Sequence, residues 1–195
     1  MPYVRFDERE DAVAALELVA TVGWDLKESP SLWKWMVMGM QYAMQAGMVL
    51  ALAGTDGCGA LREKSQERSR AWLEKPEGPQ PNVIMADYGT LLCRVQRQEL
   101  MDGPPLELSA DDWQHLEQIN KLRRQFAHFN PQGWSIELKL LLTVMPVALD
   151  AIEHLLMTQR RVQLHLTDGQ KERITEALSQ TRESLKAFEL EEKTA

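Results

Sequence analysis

The stretch that decides the fold is SPSLWKWMVMGMQYAMQAGMVLA, residues 29–51. Apolar side chains cover nearly the whole circumference of a helix with this sequence, and only Lys34, Gln41 and Gln45 interrupt them. A helix of this kind lies centrally in a bundle or is shared between a core and a partner subunit. Ser29 can cap the helix, and Pro30 suits its first position. The stretch therefore predicts a central helix, and a dimer face on it remains an open alternative.

Helical apolar patterns also occur on both sides of this stretch, and no segment has a convincing strand pattern. Apolar residues recur at helical spacing in six further segments, at about 7–22, 61–74, 83–97, 109–130, 136–160 and 167–189. Short connections favour antiparallel neighbours. The sequence predicts an all-α fold, an antiparallel, up-and-down helical bundle of five to seven helices. We expect one helical domain over residues 1–195, with 61–108 as an insertion or peripheral helical arm and 190–195 as a frayed tail.

Several helix ends can be predicted from local chemistry. Ser109 and Asp112 have the spacing of a capping box, which predicts a helix start. The same helix should end before Pro131, because the residue that precedes a proline avoids helical angles. Ser135 is the expected cap of the next helix, in which Pro146 should produce a kink.

Composition limits the class of protein. The 195 residues are 44% hydrophobic and carry a net charge of −7, so the surface as a whole does not attract nucleic acid. The charge is uneven, because residues 119–163 hold six Lys or Arg against three acids and the remainder carries −10. Cys58 and Cys93 form no disulfide framework and match no zinc spacing. Since we find no signal-peptide core and no uninterrupted apolar span, we expect a reduced, cytoplasmic protein outside the membrane, with no metal or cofactor.

The candidate functional residues lie in KLRRQFAHFNP, residues 121–131. Arginine offers a planar fork that matches phosphate oxygens, and histidine can exchange a proton near neutral pH. Arg124 and His128 are four residues apart and share a helix face, whereas Arg123 and His128 are about 140° apart around the axis. Both of the latter could still reach one ligand that lies across the end of the helix.

These residue types suit transfer of an RNA phosphodiester onto its own 2′-hydroxyl. A histidine can act as base or acid, and an arginine stabilises the charge that develops on the phosphoryl oxygens. One copy of the pair supplies only half of the proton transfers. Two copies, brought together by a twofold dimer, would supply both.

The spacing Arg123-x4-His128 resembles the R-x(4–6)-H signature of the HEPN superfamily, helical-bundle proteins that include many metal-independent ribonucleases and defence or toxin components. The run LRRQFAHF at 122–129, with Pro131 and GWSIE at 133–137, is similar to uncharacterised bacterial HEPN-like proteins. The resemblance implies a homodimer with both motif copies in one cleft, an RNA substrate, a role in defence or stress, and an antitoxin or other protein partner. It implies Arg123 and His128 as catalytic residues.

Substrate-binding roles are expected for the motif's neighbours Lys121, Arg124, Asn130 and Trp134. Trp134 could stack on a base, although a tryptophan at a helix entry also serves as a hydrophobic staple. Arg124 departs from the family pattern, which has a small polar residue at this position. It either adds phosphate affinity or disfavours the charged form of His128 through like-charge repulsion.

Three alternatives stay open at the level of sequence. Arg123 could be paired with an acid while His128 merely complements the helix dipole. The protein could be a non-catalytic HEPN-like dimerisation module that binds a protein partner or a nucleotide. Lastly, the Met-rich helix could bind an acyl chain or another small ligand.

Overall fold

The computed structural model describes residues 2–4, 7–128 and 133–192, apart from the side chains of 191 and 192. Within these residues the chain forms eight α-helices and no strand, so the all-α prediction is confirmed. The helices are α1 (Glu8–Gly23), α2 (Trp33–Leu52), α3 (Glu63–Glu74), α4 (Tyr88–Arg94), α5 (Ala110–Ala127), α6 (Leu138–Met157), α7 (Arg160–His165) and α8 (Asp168–Glu192). Two short 3₁₀ turns, Pro30–Leu32 and Gln98–Leu100, connect some of them.

Helix α2 lies at the centre of the bundle, as its sequence predicts. It packs against α1, α6, α5 and α4, and 13 of its 20 residues are buried. Gly39 permits the close approach of α1, because a Cβ at this position would lie 2.7 Å from Cγ2 of Val19. Two large side chains of α2 remain substantially exposed, Trp35 at 47% and Tyr42 at 39%. One face of the central helix is therefore uncovered in the single chain.

Helix α8 packs along α1, and a cluster of ion pairs joins the two helices. The Arg173 guanidinium donates two hydrogen bonds of 2.7 Å to the Glu17 carboxylate and lies 2.9 Å from Oε1 of Glu10. This arginine, together with a hydrogen bond from Gln170, lowers the pKa of the Glu10 carboxyl. The start of α1 is also fixed, because the Asp7 side chain accepts hydrogen bonds from the backbone N–H groups of Arg9 and Glu10.

Helices α5 and α6 complete the core on another side of α2. By length and composition α6 could cross a membrane, with a mean hydropathy of 1.7, but half of this window is buried inside the protein. A core helix of a soluble protein has the same properties, since its apolar residues face other helices. Here α6 packs against α2, α5, α7 and α8, and Pro146 lies inside it.

Residues 61–108 contribute unequally to the core. Leu91, Leu92 and Val95, from α4 and its C-terminal end, are fully buried in the same hydrophobic cluster as α1 and α2. In contrast, α3 buries only Ser65 and Ser69. The α3 helix is thus peripheral, while α4 is part of the main core.

The structure corrects several predicted boundaries. The helix expected from Ser29 begins at Trp33 instead, since residues 30–32 form a 3₁₀ turn and Ser29 makes no side-chain cap. Residues 83–87 are extended rather than helical, because Met85 forms an antiparallel bridge with Leu61.

The second half of the chain also differs from prediction in three places. The predicted helix 136–160 corresponds to α6 alone, and α7, at Arg160–His165, is a further helix that was not predicted and that raises the count above seven. Helix α6 begins after Glu137 without a side-chain cap, so the prediction for Ser135 is wrong. Helix α8 continues to Glu192, and residues 193–195 of the predicted tail lie outside the described residues.

Candidate functional site at the end of helix α5

Helix α5 is firmly anchored before it reaches the motif. The predicted capping box is present: the Ser109 hydroxyl accepts from the Asp112 N–H, and the Asp112 carboxylate accepts from the Ser109 N–H. Leu116, Ile119 and Leu122 are buried against the core. The buried Tyr88 hydroxyl donates to the backbone carbonyl of Leu116 at 3.4 Å, and burial raises the pKa of this hydroxyl. The motif therefore stands on a fixed helix.

The last residue associated with this helix is His128. It is the C-cap, with φ −118° and ψ 59°, and its backbone N–H donates to the Arg124 carbonyl at 3.0 Å. Its imidazole is exposed and has no hydrogen bond or ion pair within the described residues. The side chain is thus available to a ligand from solvent.

Arg123 is half-buried, and its guanidinium faces the central helix. The guanidinium carbon lies 5.3 Å from the centroid of the Tyr42 ring, the geometry of a cation–π contact. Its Nε is buried, and no hydrogen-bond acceptor reaches this atom within the described residues. No carboxylate of the described chain forms an ion pair with Arg123, which differs from the alternative in which an acid neutralises it.

Lys121 and Arg124 are exposed on the same helix. Arg124 lies one helical turn before His128, so the two side chains leave the helix on the same side. Arg123 leaves it in a direction about 140° away from His128. One chain therefore presents Arg124 and His128 on one side of the helix end and Arg123 on another. Neither side holds both a general acid and a general base.

Trp134 lies against the end of α5. Its ring centroid lies 4.8 Å from that of Phe126, with a tilt of 49° between the rings, and the indole is 37% exposed. The structure thus places Trp134 against the motif helix, and its substrate-binding role stays a prediction. The predicted site residue Asn130 lies outside the described residues.

Sequence reasoning missed Tyr42 and Phe126. Tyr42 follows the exposed Trp35 by seven residues on α2, so both lie on the same helical face. That spacing could have marked an uncovered face, but it could not show that Arg123 packs on it. Phe126 lies within the motif, and its contact with Trp134 depends on how the chain returns after α5.

Cation-binding groups do not gather near these residues. Over the described ranges, no three His, Cys, Asp or Glu side chains lie close enough together to hold a metal ion.

Comparison of the chain with protein-family models, curated proteins and solved structures gave no match. The resemblance of residues 121–137 to HEPN proteins therefore stays a prediction from the sequence.

Proposed function

We propose that this protein is a cytoplasmic RNA endonuclease of HEPN type, active as a homodimer and without a metal ion, with a role in defence or stress. The observation that supports this most is the environment of Arg123. Its guanidinium is half-buried on the Tyr42 ring, with no partnering carboxylate in the described chain. A cation in such a place gains from an anion that it can hydrogen-bond, and a phosphodiester offers two oxygens in the right geometry.

In the proposed reaction His128 and its copy in the second subunit exchange protons with the RNA. One imidazole takes the proton of a 2′-hydroxyl, whose oxygen then forms a bond to the adjacent phosphorus. The bond from phosphorus to the 5′-oxygen breaks, and the second imidazole, as imidazolium, gives that oxygen a proton. Arg123 holds the phosphoryl oxygens while charge develops on them. The products are a 2′,3′-cyclic phosphate and a 5′-hydroxyl.

A second copy of the chain is needed because one His128 supplies only one of the two proton transfers. The uncovered face of α2 is the surface that we assign to this contact. Trp35 and Tyr42 lie on it, and Leu18 of α1 borders it, with its Cδ2 3.7 Å from the Cβ position of Gly39. Exposed apolar groups of this kind favour association. Arg123 packs on Tyr42, so a twofold contact here would bring both arginines to one interface.

Arg124 and Lys121 would extend the phosphate contacts along the RNA backbone. Both are exposed on α5, and charged contacts to phosphate provide affinity without sequence preference. The exposed indole of Trp134 would stack on a base next to the cleaved bond. Asn130, two residues after His128, would support the site. A protein antitoxin or another protein partner would regulate access to it.

The substrate itself provides a sharp test. We expect the protein to cleave a single-stranded RNA oligonucleotide in the presence of a chelator, and to leave the same sequence with 2′-O-methyl groups intact. The 5′ fragment should end in a cyclic phosphate, as measured by mass spectrometry. Equal cleavage of both oligonucleotides, or of neither, would contradict the proposed reaction and favour a non-catalytic HEPN-like module.

A further inference from the structure

Five side chains of α2 that are exposed or half-buried follow one another at intervals of three and four residues. They are Trp35, Met38, Tyr42, Gln45 and Val49. This heptad spacing forms one seam along the helix, the pattern by which a helix packs against a second helix. In the single chain the seam is open to solvent. The uncovered face of α2 therefore has the spacing of a surface for another helix.

A groove of about 140 Å³ lies at the C-terminal half of this seam, between α1, α2 and the extended segment 83–87. The apolar part of its lining consists of Tyr42, Ala46, Val49 and Met85. A cavity of about 150 Å³ holds one benzene-sized ring, and sites for drug-sized ligands are larger. The groove thus has the size of one aromatic side chain.

The rim of this groove is acidic. Glu8 and Asp11 of α1 line it beside the Gln45 amide, and neither carboxylate forms an ion pair within the described residues. No lysine or arginine of the described chain lines it. A phosphate group would meet only like charge here. The groove therefore favours an occupant that combines an aromatic ring with a hydrogen-bond donor or a cation.

The other end of the same face carries such groups. Trp35 is 47% exposed, and its indole N–H finds no acceptor within the described residues. The Lys34 ammonium lies 5.1 Å from the centroid of the Trp35 ring, and it too forms no ion pair there. Ala46 in the groove lies about 16 Å further along α2. Trp35 therefore cannot fill the groove of its own chain.

From this complementarity we propose that two copies of the chain pair their α2 helices antiparallel across a twofold axis, with Trp35 of each copy in the groove of the other and Lys34 at its acidic rim. A surface that meets its own copy uses both halves of the contact twice. The axis passes α2 midway between Trp35 and Ala46, near Tyr42, on which Arg123 packs. This arrangement rests on the α2 dimer proposed above and does not depend on RNA cleavage.

Exchange of charge across the axis tests the arrangement. Lys34→Glu alone and Asp11→Lys alone should each weaken the dimer about tenfold at low salt, because both copies of the contact become repulsive. An equimolar mixture of the two variants should regain the wild-type affinity as a heterodimer, since one contact is then native and the other has its charges exchanged. Sedimentation velocity measures each dissociation constant, and native mass spectrometry identifies the heterodimer.

Glu172→Lys and Lys186→Glu are the matched controls, since both residues are exposed on α8 and neither lines the groove. They make the same changes of charge and should leave the dimer unchanged, alone and mixed. If Lys34→Glu and Asp11→Lys dimerise as the wild type does, or fail to recover when mixed, this arrangement is wrong but the α2 dimer is not. A wild type that stays monomeric overturns both, and leaves the groove to a cationic segment of another protein.

A second measurement tests the position of Trp35 in the groove itself. Val49→Trp adds an indole to the half-buried lining and should block the groove, so that the dimer weakens about tenfold or more, as it should in Trp35→Ala. Because both changes remove one contact, the double variant should be no weaker than the weaker single variant. Leu164→Trp, at a 78% exposed position on α7, is the control and should have no effect. Additive losses in the double variant would show that Trp35 binds elsewhere and would overturn the proposal.

Discussion

The guanidinium carbon of Arg123 lies 5.3 Å from the centroid of the Tyr42 ring, and this contact joins the end of α5 to the central helix. It explains how an arginine can be half-buried without a carboxylate partner in the described chain, because the face of an aromatic ring attracts a cation. It also fixes the direction in which Arg123 leaves α5. Tyr42 is therefore a positioning residue for the proposed phosphate contact.

A double-mutant cycle measures this contact. We expect Tyr42→Leu to lower the free energy of unfolding by about 0.5–1 kcal/mol, as for an exposed cation–π pair. In an Arg123→Met background the same substitution should cost less, because the cation is already absent. Urea denaturation followed by circular dichroism gives all four values. Full additivity of the two substitutions would show that the contact contributes nothing to stability.

The packing of α1 on α2 gives a second prediction. Gly39→Ala should lower the free energy of unfolding by about 1–3 kcal/mol, because its Cβ would meet both Val19 and the Ala15 backbone carbonyl. Gly169→Ala is the matched control in α8, where the added Cβ meets nothing within 4 Å. It should be neutral or stabilise by about 0.5 kcal/mol. Thermal unfolding of both variants measures this difference in stability. A Gly39→Ala variant as stable as the wild type would contradict the close approach of α1 to α2.

Acid should weaken the link between α8 and α1. The pKa of Glu10 is lowered in the folded state, chiefly by the Arg173 side chain. A lowered folded pKa means that the stabilisation is complete above the ordinary carboxyl range and is lost as the pH falls below about 4.

Substitution of Arg173 isolates this effect. Arg173→Met should lower stability at pH 7 by about 1 kcal/mol at most, since the groups are partly exposed and screened by solvent. The difference from the wild type should shrink as the pH approaches 3. Lys186→Met, at an exposed position further along α8, should show no such pH dependence. A constant difference across this range in melting experiments would contradict the assignment.

The uncovered face of α2 predicts the oligomeric state. We expect the wild type to sediment as a dimer and Trp35→Glu to sediment as a monomer, because a carboxylate at the centre of an apolar interface is costly. Trp24→Glu changes an equally exposed tryptophan on a different element and should leave the dimer intact. A monomeric wild type, or a dimeric Trp35→Glu, would exclude this face as the interface.

The central position of α2 and the start of α5 could be predicted from the sequence because both depend on local information. Apolar residues surround α2 on nearly every side, and Ser109 and Asp112 complete a capping box within four residues. These signals need no knowledge of distant parts of the chain. The all-helical prediction depends on local apolar patterns of the same kind in the other segments.

Features that depend on distant contacts could not be predicted. Residues 83–87 have a helical apolar pattern, but backbone hydrogen bonds from Arg62 to Ile84 and from Ala86 to Ala60 hold them extended. In the same way, the packing of Arg123 on Tyr42 depends on how α5 lies against α2. The sequence identified Arg123 and His128 as candidates, whereas the ring beneath Arg123 required the structure.

The most direct test of the proposed nuclease is the rate of RNA cleavage by His128→Ala in the presence of a chelator. We predict that the wild type cleaves, that His128→Ala loses at least about 100-fold in rate, and that His165→Ala, at an exposed histidine on α7, keeps the wild-type rate. Cleavage by His128→Ala at the wild-type rate, or no cleavage by any of the three proteins, would contradict the account.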